Sequence, residues 1–214
     1  MMEEIAGAYA YYLTHQREFW TAASTHLRLS FSALAIALIV CLPLGIWAAR
    51  KRWAAAPVLN TANALRVVPS LALLFIVQPY LGLGWTSALV ALTVLACPPI
   101  LINTYAAYRG VDRNVVEAAY GMGMGVGQVL RSIETPLALP VVLAGMRIAT
   151  VEVIASASLA AFIGAGGLGN FIQRGFAVLE TSTMLVGVIP IALLALLADA
   201  LLAGTQRIVA IRDT

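Results

Sequence analysis

Between Arg66 and Arg109 the chain has no charged side chain at all. A bilayer core about 30 Å thick is crossed by roughly 20 residues of helix rising about 1.5 Å each, so this run is too long for one crossing and must double back. The segment QPYLGLG at positions 78–84 supplies the reversal, and the run is expected as a hairpin of two helices, roughly 57–79 and 85–107. Arg28 and Arg50 bracket another apolar window. A fourth, about 137–162, carries Arg147 and Glu152 inside it, and a fifth covers about 183–204. With 61% hydrophobic and 11% charged residues, against about 25% charged in soluble domains, the expectation is an all-α membrane protein of about five transmembrane helices.

Lysine and arginine concentrate in cytoplasmic loops. Arg50, Lys51, Arg52, Arg66, Arg109, Arg113, Arg131, Arg207 and Arg212 fall on one side of the five-span scheme; Arg17, Arg28 and Arg174 fall on the other, with Arg147 unassigned. This bias puts the N-terminus outside and the C-terminus in the cytoplasm of a multi-pass protein. The first twenty residues have Glu3 and Glu4 in place of a basic leader and lack the pattern of a cleaved signal peptide. Ile5, Tyr9, Tyr12 and Gln16 share a helical face there, as in a helix lying at the membrane interface. Cys41 and Cys97 both fall inside spans and form neither a disulfide framework nor a metal cluster. The net charge of +3 belongs to the inner loops and makes no basic patch interleaved with aromatics, so nucleic acid is not an expected partner.

Catalytic constellations are missing. The histidines are His15 and His26, and HExxH, CxxC and GxSxG do not occur. The glycine run GMGMGVG, residues 121–127, is not a phosphate loop: the sole lysine is Lys51, far from it, and the GxGxxG spacing fails at Val126. Asn114 precedes Glu117 by three residues, a capping-box spacing that starts a short helix through NVVEAAYG. Val126, Leu130 and Ile133 recur at helical spacing before Pro136, expected to end a second short helix. A helix, a glycine joint and a helix on the cytoplasmic side form either a solvated connector or a docking element.

The stretch EAAYGMGMGVGQVLRSIETP, residues 117–136, resembles the EAA motif of ATP-binding-cassette importer permeases. Glu117, Ala118 and Ala119 are followed by Gly123, Ile133 and Pro136 at the family's intervals, with Thr135 where leucine is usual. VVPSLALLFIVQPYLGLG (67–84) and AFIGAGGLGNFIQRG (161–175) are similar to permeases of osmoprotectant importers for glycine betaine, carnitine or choline, the similarity running from about 19 to 208. Methionine-importer permeases share the architecture. The resemblance implies a type I importer fold in one permease domain, residues 1–214, with 110–136 as the cytoplasmic coupling loop. It implies pairing with a second permease subunit, identical or homologous, in the bacterial cytoplasmic membrane. It implies separate ATPase subunits that use ATP and magnesium, with no cofactor on this chain, and a substrate-binding protein on another polypeptide. Glu117, Ala118, Ala119, Tyr120, Gly121, Gly123, Ile133 and Pro136 would contact the ATPase.

Inside the membrane, Glu152 either lines the translocation path for a cationic headgroup or makes a structural hydrogen bond to a neighbouring helix or subunit. Ser156 lies one turn on along the same face, while Arg147 points about 140° away and is not its expected partner. Asp199, near the inner end of the fifth span, is expected to be satisfied by water or Arg207. Gly166 and Gly167, in GAGGLG, stand either near an external gate or in an ordinary turn. Pro43, Pro69, Pro98, Pro99 and Pro190 are expected to bend their spans, with Pro69 near the path. Two other classes remain: an ion-coupled secondary carrier, for which no inverted repeat is evident, and a membrane scaffold that docks an ATPase but moves nothing.

Overall fold

The computed structural model describes residues 2–211, the side chains of Met2, Ala210 and Ile211 excepted; Arg212, counted above among the inner cations, lies outside them. All regular secondary structure among the described residues is helical. Helix α1 (Met2–Thr14) leads into the 35-residue α2 (Gln16–Arg50). Lys51, in extended backbone, separates α2 from α3 (Arg52–Val67), and α4 (Ser70–Leu81) follows. After Gly82–Gly84 comes α5 (Trp85–Arg109), then the short α6 (Arg113–Gly121). A one-turn α7 (Val126–Val129) runs through a π-helical turn (Leu130–Glu134) into α8 (Thr135–Ser156), which tightens to a 3-10 turn at Ala157–Ile163. Helices α9 (Gly169–Ala177) and α10 (Thr181–Ile211) complete the described chain.

Four stretches are long and apolar enough to cross a membrane: Gln16–Arg50, Trp85–Arg109, Val126–Ile163 and Thr181–Val209. The expected second span is instead two helices, α3 and α4, bent by 102° at their junction. Pro69 is the cause. A proline disfavours helical backbone in the residue before it, and Val68 is extended at φ −75° and ψ 120°. Taken as one broken span, the pair brings the candidate crossings to five. Pro43, Pro98, Pro99 and Pro190 remain inside single helices, so of the five prolines only Pro69 interrupts its span.

Helix α5 is the centre, packed on α2, α8, α3 and α4, while α10 packs on α8, α9 and α1. The main core is built of small side chains: Ala33, Ala37 and Cys41 from α2, Ala88, Ala91 and Ala96 from α5, and Ala149 from α8. Lipid supplies no hydrophobic drive between helices, so small residues hold the bundle by letting backbones approach closely. Gly145 marks one such place: a Cβ there would stand 2.5 Å from Asn103 Cβ and 2.8 Å from the Pro99 carbonyl. A second cluster seats α1 against α9 and α10 through Ala8, Leu168, Phe171 and Val186. Ile5 and Tyr9 point outward from α1, and Ala8 is the buried residue. The apolar face read from the sequence is therefore the outward one.

Candidate functional site

Three regions carry the polar side chains singled out above. At the basic end of the bundle, α6 begins at Asp112, whose carboxylate accepts from the Asn114 N–H at 2.8 Å. That corrects the capping-box expectation: Asp112, not Asn114, is the N-cap. Aspartate suits the position because its short carboxylate satisfies a free N–H and opposes the helix dipole. Ala119 is buried at 1%, while Glu117, Ala118 and Tyr120 face out. Gly121 is the last residue of α6, and Gly123 sits at φ +85°, its N–H donating to the Tyr120 carbonyl at 2.9 Å. The joint is thus the short stretch from Met122 to Gly125; Gly127 already lies inside α7.

Pro136 does not end a short helix, as the sequence suggested. It is the second residue of α8, and α7, the π turn, α8 and the 3-10 turn run on as one 38-residue apolar stretch. Proline has no N–H for the preceding turn, and the wider π turn before it absorbs the missing bond. Ile133 is half-buried in that turn. Thr135, in the place of the usual leucine, shares a 2.9 Å hydrogen bond with the Tyr108 hydroxyl of α5. Arg50 pairs with Glu134, fixing the end of α2 to the start of the fourth span. Beside them lies a groove of about 570 Å³ that brings Lys51, Arg109 and Arg113 round Glu117 and Tyr120. Met122, 75% exposed, and Val126, 60% exposed, stand at the tip beyond it.

The second region is at mid-bundle. The α3–α4 break, the prolines of α5 and one face of α8 enclose a cavity of about 350 Å³ lined by Arg66, Pro69, Ser70, Pro98, Glu152 and Ser156 among others. Three sequence candidates, Pro69, Glu152 and Ser156, meet there. Arg66 does too, sharing the cavity wall with Pro98 of α5. The sequence scheme counted it only among the inner cations; Pro69, three residues on, was the available signal for the break that brings it to this wall. Arg147 and Glu152 both line a further cavity of about 540 Å³ on α8, but Arg147 pairs with Asp199 and not with Glu152, in keeping with the helical spacing. Its Nη2 donates to Asp199 Oδ2 at 2.7 Å and its Nε donates to Oδ1. Asp199 is therefore held by Arg147 of α8 and not by Arg207.

At the opposite end, the 3-10 turn finishes at Gly164 in left-handed backbone, and Gly166 and Gly167 follow at φ +81° and +93°. Gly167 packs on His26, a Cβ there falling 3.4 Å from Nδ1. His26 is fully buried and its Nε2–H donates to the Ile154 carbonyl at 3.0 Å, so α2 is tied to α8 just before the helix tightens. A polar cavity of about 630 Å³ opens above, between Arg17, Glu18, Gly166, Gly167 and Asn170. Arg174 bridges Glu18 and the Tyr11 hydroxyl, and both partners raise its pKa above the ordinary guanidinium value.

This bundle, with a broken second span and a short helix projecting from its basic end, is the fold of type I ABC importer permeases. A structure described as the MetNI methionine ABC transporter in an inward-facing conformation superposes with a TM-score of 0.80 over 92% of this chain and 98% of that one, at 22% identity. An amino acid ABC transporter with histidines gives 0.73 over 92% and 97%, at 18% identity. The family model for the binding-protein-dependent transport system inner membrane component matches residues 41–210. The chain belongs to that family and is a multi-pass inner-membrane protein. It is 38% identical to the glycine betaine/carnitine/choline transport system permease protein OpuCB of Bacillus subtilis, over 91% of this chain and 89% of that protein. To the carnitine transport permease protein OpuCB of Listeria monocytogenes it is 42% identical over 81% and 80%, and to the osmoprotectant import permease protein OsmW of Salmonella typhimurium 37% over 85% and 86%.

Proposed function

We propose that this chain is the membrane permease of an ATP-driven importer for a quaternary-ammonium compatible solute such as glycine betaine, carnitine or choline. The observation that carries the reading is the match to curated relatives named for these solutes at 37–42% identity. Likeness to the methionine transporter is a likeness of fold at 22% identity and gives no reason to prefer methionine. In this reading the helix Arg113–Gly121 docks on a separate ATPase subunit, which binds the ATP and magnesium. Glu117, Ala118, Tyr120 and Gly121 offer the contact, Ala119 seats the helix on the bundle, and Gly123 sets the joint. Ile133 and Pro136 relay the movement into α8 through the π turn.

Glu152, Ser156 and Pro69 line the solute path, and Gly166 and Gly167 belong to its outer gate. A second permease subunit covers the face where Arg66, Glu152 and the Arg147–Asp199 pair reach the surface of the bundle, because lipid is a costly neighbour for charge. A separate binding protein delivers the solute at the Gly166 end, which the excess of arginine at the other end places outside. Co-purification from native membrane tests this: an ATPase subunit is expected with the chain, its activity stimulated by the binding protein loaded with glycine betaine, carnitine or choline. Stimulation by methionine alone would contradict the solute class.

A further inference from the structure

Two opposite charges line the mid-bundle cavity. Arg66 comes from the end of α3 and Glu152 from the middle of α8, and both line the same 350 Å³ space. Among the described residues neither takes part in an ion pair; the arginines that do are Arg50, Arg147 and Arg174. Opposite charges at this depth normally close on each other, since each alone is costly. Here they share a cavity without pairing. The 102° bend at Pro69 carries Arg66 to one wall, and the uninterrupted helix Thr135–Ser156 carries Glu152 on the other. The gap left between them suits a small molecule with a positive and a negative end.

We propose that Arg66 and Glu152 form a binding site for a zwitterionic betaine, with Arg66 holding the carboxylate and Glu152 facing the quaternary ammonium. The assignment rests on the osmoprotectant reading above and adds a specificity residue to it. The chemistry of each wall fits its end of the solute. A guanidinium offers paired N–H donors matched to two carboxylate oxygens. A quaternary ammonium donates no ordinary hydrogen bond and needs only opposite charge beside apolar surface, which Leu95 and Ile148 supply next to Glu152. A solute with the cation alone, such as choline, uses Glu152 and leaves Arg66 without a partner.

The test is uptake by the complete transporter, permease with its ATPase and binding protein, reconstituted in liposomes and given labelled glycine betaine or choline. Arg66→Gln should lower glycine betaine transport by about tenfold or more, the worth of a charge-assisted hydrogen bond, while choline transport stays near wild type. Choline transport serves as the internal check on folding and assembly. Arg66→Lys should restore much of the loss, and Glu152→Gln should slow both solutes. If Arg66→Gln slows both equally, or neither, the assignment is overturned. A wild-type complex that moves choline but not glycine betaine overturns it as well. A wild-type complex that moves neither brings down the osmoprotectant reading first, and this inference with it.

Discussion

Gly145 and Gly204 both sit in apolar helices, yet their surroundings differ in a way that fixes the sign of a substitution. A Cβ at Gly145 would fall inside contact distance of Asn103 and of the Pro99 carbonyl, whereas one at Gly204 meets nothing within 4 Å. Gly145→Ala is therefore expected to destabilise by about 1–3 kcal/mol through overpacking. Gly204→Ala should be neutral or gain up to about 1 kcal/mol from helix propensity. Thermal unfolding of the purified permease in detergent measures both. Gly123 differs again, being fixed by φ rather than by neighbours: its Cβ position is open, but +85° is left-handed. Gly123→Pro also removes the N–H bound to Tyr120. The expected result is a complex that inserts and assembles but hydrolyses ATP without moving solute; normal coupling would show that the joint transmits nothing.

Between elements, the Arg147–Asp199 pair is the polar tie from α8 to α10, with Gln206 adding a 3.0 Å bond to the Pro140 carbonyl. Removing one charge leaves the other stranded in apolar surroundings, while removing both leaves neither. Asp199→Asn should lower the yield of folded protein, and Arg147→Met combined with Asp199→Leu should recover it, as read by size-exclusion profile. A double variant no better than the single one would mean the pair has a role beyond holding the helices. This tie was hidden in the sequence because 52 residues separate the partners. The spacing of Glu152 to Arg147 was legible, since it lies within one helix. Local rules likewise placed the joint near Gly123, yet they gave the cap to Asn114 and missed Asp112, two residues earlier. They also ended a helix at Pro136, because a proline reads as a stop unless a π turn absorbs it.

On the scale of the molecule, four of the five expected crossings were readable from long, predominantly apolar windows, because cost in lipid is a property of composition. The fifth was readable as a length but not as a shape: the 102° bend follows the extended Val68 before Pro69, and with the bend came Arg66 in the cavity. The candidate site is accordingly spread over the whole bundle, with a short projecting helix at one end, a charged cavity in the middle and a glycine turn at the other. Under the proposed function, transport requires a separate ATPase docked on that helix. Uptake of labelled glycine betaine into liposomes is the measurement that tests this most directly, comparing the chain alone with the chain plus its ATPase and binding protein, with and without ATP. Accumulation only in the complete complex with ATP is the predicted result; accumulation by the chain alone, without ATP, would contradict the account.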